Sequence, residues 1–251
     1  MSDHYKDLIK MMEEAYVLLS SLSGPCKDEA VNKWLEIGDR NIASLNRQLR
    51  GSLSVGEKMK IQSTILILKT LCEKIIYEQN YVQGGDLQHD VERPSPSVVW
   101  REEENVFELR ISTGSIVNLK HVNLRDFLND AKVILCEKFK QIIDNNGSIK
   151  VNFSLACKFN NVKDGEFIEE IKYFTTPNEL FMPSSDIEGI IVKKVIDVLL
   201  AKVEDFEERD SGWSMVEIVH LQVNINRYDP LAAGASTFIP LPKFIQDRKQ
   251  Y

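Results

Sequence analysis

The sequence predicts an α+β protein, an N-terminal three-helix bundle followed by a mainly antiparallel sheet with two packed helices. Three observations carry that expectation. Residues 3–81 space their apolar side chains as helices do; residues 83–97 interrupt that spacing with Gly84-Gly85 and Pro94-Ser95-Pro96; beyond Val98 the period falls to two, with helical stretches between the alternating ones. The resulting order of hairpin, helix, hairpin, helix and strand favours antiparallel pairing with helices laid on the sheet. The expected division is therefore a helical bundle over 1–82, a linker over 83–97 and an α+β module over 98–251.

Within the bundle, Gly24-Pro25 and Gly51-Ser52-Leu53-Ser54 mark the breaks between helices. Leu8, Met12, Tyr16 and Leu19 form a stripe on the first helix, Trp34, Ile37 and Leu45 lie on the second, and Ile61, Ile65, Leu68, Cys72 and Ile75 on the third. The third helix also carries Leu66, Ile67, Leu71 and Ile76, an apolar arc wider than one bundle face requires. It reads as the central helix of the bundle or as a contact between subunits in a homo-oligomer, with Ile67 and Leu71 as candidate oligomerisation residues.

Past the linker, residues 98–101 and 106–111 read as strands joined across Glu102-Glu103-Glu104, and 124–143 as a helix with Asn123 at its N-cap and Gly147 just past its end. Residues 149–159 alternate, with Val151, Phe153, Leu155, Cys157 and Phe159 on one face, and 167–174 supply a partner across a turn at Asp164-Gly165. A helix over 187–206 starts near Ser184-Ser185-Asp186. The strand over 216–226 is expected to turn Val219, Leu221, Val223 and Ile225 to the core and Ile218, His220, Gln222, Asn224 and Asn226 to a polar or site-facing side.

Composition excludes several classes. With 251 residues, 43% hydrophobic and 27% charged, the chain can fill one large or two small cores. Its net charge of −7 argues against a generic nucleic-acid binder, which displaces counterions from phosphate with a basic surface. Met1-Ser2-Asp3-His4 lacks the basic and apolar start of a secretory signal, and no stretch approaches the roughly 18 apolar residues of a membrane helix. A cytoplasmic or nuclear protein with no membrane partner is expected. Cys26, Cys72, Cys136 and Cys157 are scattered, without the paired spacing of a zinc site, so they read as reduced core residues and no metal or cofactor is expected. Asn146-Gly147-Ser148 and Asn152-Phe153-Ser154 match the glycosylation sequon, which matters only in a secreted chain.

The final stretch is the most distinctive. Ser211-Gly212-Trp213 leads into the strand over 216–226, then into Tyr228-Asp229-Pro230-Leu231 and Phe238-Ile239-Pro240-Leu241-Pro242. Trp213 at a strand start reads as a plug for one end of a core. The prolines fix an extended run, docked on its own domain or offered to a partner groove. Trp213, Tyr228, Phe238, Ile239, Pro240 and Pro242 are the candidate interaction residues. This order of parts resembles an uncharacterised segment found upstream of family-B DNA polymerase regions in open reading frames of Polinton or Maverick-type mobile elements. The match covers the last forty or so residues, with a weaker one over 148–176. It departs from the elements at Asp210, where they carry glycine, and in the loop 231–238, which is longer and less polar. The resemblance implies a mobile-element or viral origin and an accessory role in DNA replication or a nucleoprotein complex; nucleic acid enters as a partner through the resemblance alone.

Two catalytic patterns present themselves. Asp164 followed by Glu170-Ile171-Lys172 on a strand has the order of a metal-dependent nuclease, in which carboxylates hold magnesium and the lysine polarises the attacking water. Glu and Lys two apart are common on the wet face of a strand, and Asp164 falls in a hairpin turn, so a solvated charge pair is the favoured reading. Cys157 and His220 would form a nucleophile and base pair if their strands were neighbours, but Cys157 falls on an apolar face and His220 opposite the aliphatic face of its own strand, so a buried thiol and a polar-face imidazole are expected. The acidic run Glu204, Asp205, Glu207, Glu208 and Asp210 falls at a helix C-terminus, where it opposes the dipole and reads as a frayed, solvated end. The sequence thus favours a non-enzymatic binding or assembly protein with a protein partner, over a nuclease centred on Glu170 and Lys172 or a host-retained interaction adaptor.

Overall fold

The computed structural model of the chain describes residues 2–22, 24–82, 96–106, 111–163, 166–209 and 212–228. Three helices come first. α1 (Ser2–Ser21) and α2 (Pro25–Leu49) are separated at Gly24, whose φ of 74° suits glycine and strains other residues. Pro25 opens α2 where a missing N–H leaves no hydrogen bond unmade. α3 (Val55–Val82) starts with a capping box, in which the Glu57 N–H donates to Ser54 Oγ at 3.3 Å and the Ser54 N–H donates to the Glu57 carboxylate at 3.0 Å. Met12, Leu19, Val31, Leu45, Ile61, Leu68 and Ile75 fill the space between the three helices.

The remainder is α+β. Its strands are β1 (Val98–Val106), β2 (Ile111–Asn118), β3 (Ile149–Lys163), β4 (Glu166–Thr175), β5 (Glu179–Phe181) and β6 (Ser214–Arg227). They form one six-stranded antiparallel sheet in the order β1-β2-β6-β3-β4, with β5 paired to the start of β3. One face is covered by α4 (Leu124–Asn146) and by a long helix in which α5 (Ile187–Ile190) passes through a π-helical turn (Ile191–Ile196) into α6 (Asp197–Arg209). Asn123 caps α4 as its sequence predicts, accepting from the Arg125 and Asp126 N–H groups at 2.9 and 3.3 Å. A row of directly paired residues, Ile116, Leu221, Leu155 and Phe174, runs across four strands into this core. Phe139 of α4 packs on Phe181, and Phe206 of α6 on Phe159, each with ring centroids 5.0 Å apart.

The opposite face is covered by the N-terminal helices, which explains the wide arc on α3. Ile61, Ile65, Leu68, Cys72 and Ile75 belong to the cluster shared with α1 and α2. Thr70 and Lys74, one turn apart on another side of α3, reach His220 and Glu217 of β6. Beneath them lies the paired row Val117, His220 and Ala156, all fully buried. Two halves separated in sequence by residues 83–97 therefore share an interface in space, although residues 83–95 themselves lie outside those described.

Several expectations change. Glu102-Glu103-Glu104 is not a turn: β1 runs through it to Val106, with a bulge between Glu102 and Glu104. β1 is an outer strand of the sheet, a position at which charged side chains and bulges are well tolerated. In β6 the alternation is not continuous either. Ala156 faces His220 while the next residue, Cys157, faces Ile218, so Val219 is an extra residue, and a second shift makes Val216 extra. Each bulge inverts the phase of the strand. Ile218 consequently joins the core with Leu221, Val223 and Ile225, whereas Val219 does not.

Candidate functional site

The surface with the most chemistry lies where α1 and α3 meet the sheet. An alternating chain of charges crosses it: Lys158 of β3 donates to Glu13 of α1 and lies 3.8 Å from Glu217 of β6, which also accepts from Lys74 of α3. Burial by itself would lower the pKa of Lys158. The bond and charge of Glu13, reinforced by Glu217 and Glu169, outweigh that and hold the ammonium above its usual value. Deeper in, the Thr70 hydroxyl donates to the Leu66 carbonyl at 3.0 Å and presents its oxygen to His220 Nδ1 at 3.5 Å. On the far side of α1, the Tyr16 hydroxyl donates to Glu78 at 2.6 Å, and burial followed by that bond raises its pKa.

Beside this network is a groove of about 1050 Å³ between α1, α3 and the β3–β4 hairpin. Tyr5, Ile9, Val17 and Leu18 line it from α1, Ile67 from α3, and Ile171 and Tyr173 from β4, with Lys6, Lys10, Glu14 and Glu169 among the charged residues around it. Val17 and Leu18 are 68% and 60% exposed and adjoin the other apolar residues of the groove. β4 is the outermost strand on this side. The arrangement offers apolar area, both signs of charge and a strand edge to a polypeptide.

The nuclease pattern does not assemble among the described residues. Lys172 donates to Glu170 at 2.6 Å, and its ammonium sits 4.4 Å from the Trp213 ring and 5.7 Å from the Phe206 ring. Those contacts make Lys172 part of a packed cation–aromatic stack. Asp164 lies outside the described residues, and among those described no cluster of three His, Cys, Asp or Glu side chains could hold a metal ion. The Cys157 and His220 pair is divided by the sheet. Cys157 points into the core beneath α4 and α6, where burial, with Glu207 and Glu217 adding to it, pushes its thiol up to about 12; His220 points to α3.

Other candidates fall in different places. Trp213 packs on Phe206 with centroids 6.5 Å apart, closing one end of the core. Tyr228 donates its N–H to the Ser148 carbonyl at 2.8 Å, and Lys150 Nζ lies 4.3 Å from its ring. Ile67 and Leu71 are buried within this chain. Phe238, Ile239, Pro240 and Pro242 lie outside the described residues. The groove itself went unread in the sequence. Its signal was present in Val17 and Leu18, which lie off the α1 stripe of Leu8, Met12, Tyr16 and Leu19, and in Ile171 and Tyr173, which alternate with the core residue Phe174.

Among the described residues no helix is long and apolar enough to cross a membrane. Neither a protein-family model, nor a curated protein, nor a solved structure matches the chain.

Proposed function

We propose that the chain is a non-catalytic binding and assembly protein that engages a polypeptide carrying apolar side chains at the groove between α1, α3 and the β3–β4 hairpin. The observation that carries this reading is the pairing of an apolar groove with exposed Val17 and Leu18 beside an outer strand. A contiguous apolar surface left in water gains free energy when a partner covers it. Of the side chains that would run a nuclease, Glu170 and Lys172 are engaged in an ion pair and, for the lysine, a ring stack.

The test is selection of peptides from a displayed random library against the whole chain. Apolar sequences should be recovered, and Val17→Asp with Leu18→Asp should abolish their binding while leaving the melting temperature unchanged, because both side chains already face solvent. A selection that enriches nothing, or binding indifferent to those substitutions, overturns the reading. So does magnesium- or manganese-dependent DNA cleavage that is lost in Glu170→Ala.

The resemblance to the Polinton-type segment supports placing such an assembly beside DNA replication, acting through protein contacts. Duplex DNA is then expected to bind weakly at physiological salt, since a net charge of −7 leaves few cations free to neutralise phosphates.

A further inference from the structure

β4 has the properties of an edge left ready for pairing. Among the described residues it pairs with β3 alone, the register between them runs without a bulge, and it contains no proline. Its outer side thus presents a row of N–H and C=O groups, which natural edge strands usually blunt, with the Thr175 carbonyl at the end of the row accepting from Lys202. Phe167 and Tyr173 are exposed on its groove-side face; Glu170, which also borders the groove, and Lys172 are partly exposed on the strand's other face.

We infer that two copies of this chain join through β4, pairing antiparallel about a two-fold axis at Ile171 and merging their sheets. The inference rests on the reading of the groove and its strand as a contact surface, and it names the partner as a second copy. In a two-fold antiparallel pair, positions equally distant from the axis on either side oppose one another with side chains on the same face. With the axis at Ile171, Glu170 meets Lys172 of the second copy and Lys172 meets its Glu170, so the 2.6 Å pair within each chain becomes part of a set of four charges of alternating sign across the seam. An axis at Glu170 or at Lys172 would bring identical charges together. The Ile171 register also sets Ile168 against Phe174. Because the axis is perpendicular to the sheet, the grooves of both copies open on the same face, which places exposed Val17 and Leu18 of each α1 toward the seam. Glu170 and Lys172 flank Ile171 with opposite signs, and that makes this stretch of the strand complementary to itself.

The test is sedimentation of the full chain over a micromolar concentration series. The unmodified chain should populate a dimer. Glu170→Lys and Lys172→Glu should each weaken it by at least about tenfold, since each places like charges across both pairs, and the double swap should restore it to within about threefold. Circular dichroism of the double variant checks that the fold tolerates both changes. A monomer throughout the series overturns the inference, as does a dimer indifferent to the single reversals or one that the double swap fails to rescue. A monomeric chain whose selected peptides still depend on Val17 and Leu18 would remove the second copy as partner and leave the groove reading standing.

Discussion

Cys157 and His220 are separated by the thickness of one sheet, and the thiol shows what burial does to a reactive side chain. The Cys157 thiol, pushed up to about 12 from 9.0, stays protonated because no solvent or cation reaches it to stabilise the thiolate. Cys72, pushed up to about 11 chiefly by burial, behaves alike. A group whose folded pKa is raised adds stability that is fully present below its unfolded pKa and is lost as pH rises through the folded value. The unfolded chain releases these protons first, so alkali favours unfolding. Melting temperature is expected to hold near neutrality and to fall once the pH passes about 9, and Cys157→Ala should start lower but decline less steeply. A Cys157→Ala profile parallel to that of the unmodified chain would show that the thiol plays no part.

At the scale of elements, α3 is the piece on which the architecture turns, because it serves two cores. One stripe faces α1 and α2, and Thr70 and Lys74 face β6. Polar side chains on a buried helix face carry a desolvation cost, which is tolerable here because each has a partner on the sheet. The charge chain from Glu13 through Lys158 to Glu217 and Lys74 ties α1, β3, β6 and α3 together. Lys158→Met leaves Glu13 without its cation and should destabilise the chain by about 3 kcal/mol, the usual consequence of removing one partner from a largely buried pair. Denaturant unfolding measures this directly. A loss no larger than that of an exposed lysine would mean that water screens the network.

For the whole molecule, the shared interface predicts cooperative unfolding. Trp34 reports on the helical half, and Trp100 and Trp213 on the sheet. Fluorescence from chains retaining one or the other set should give coincident transitions. A fragment of residues 96–251 should melt below the full chain, because removing α3 uncovers the row of Val117, His220 and Ala156, in which the burial of Val117 alone is worth about 1.5 kcal/mol. Two resolved transitions, with the fragment as stable as the full chain, would establish the halves as independent domains despite their contact.

The sequence by itself determined the class of fold and most of its elements, because those depend on near neighbours. Period-two alternation marked β3, the capping side chain of Asn123 set the start of α4, and Gly24-Pro25 divided α1 from α2; each works within a few residues of itself. Even the groove left a local trace in Val17 and Leu18, apolar residues off their helical stripe. What only the tertiary structure decided was which surface each element buries and against what. The bulges at Val216 and Val219 reverse the phase of β6 because its partner β3, far away in sequence, sets where pairing must shift. β5 exists only through its register with Ile149–Val151. The wide arc on α3 reads equally as a subunit contact until the sheet beneath it is known, and Glu170 with Lys172 reads as half a nuclease until Trp213 is seen under the lysine. Side-chain pattern is local, whereas burial is a relation between distant segments.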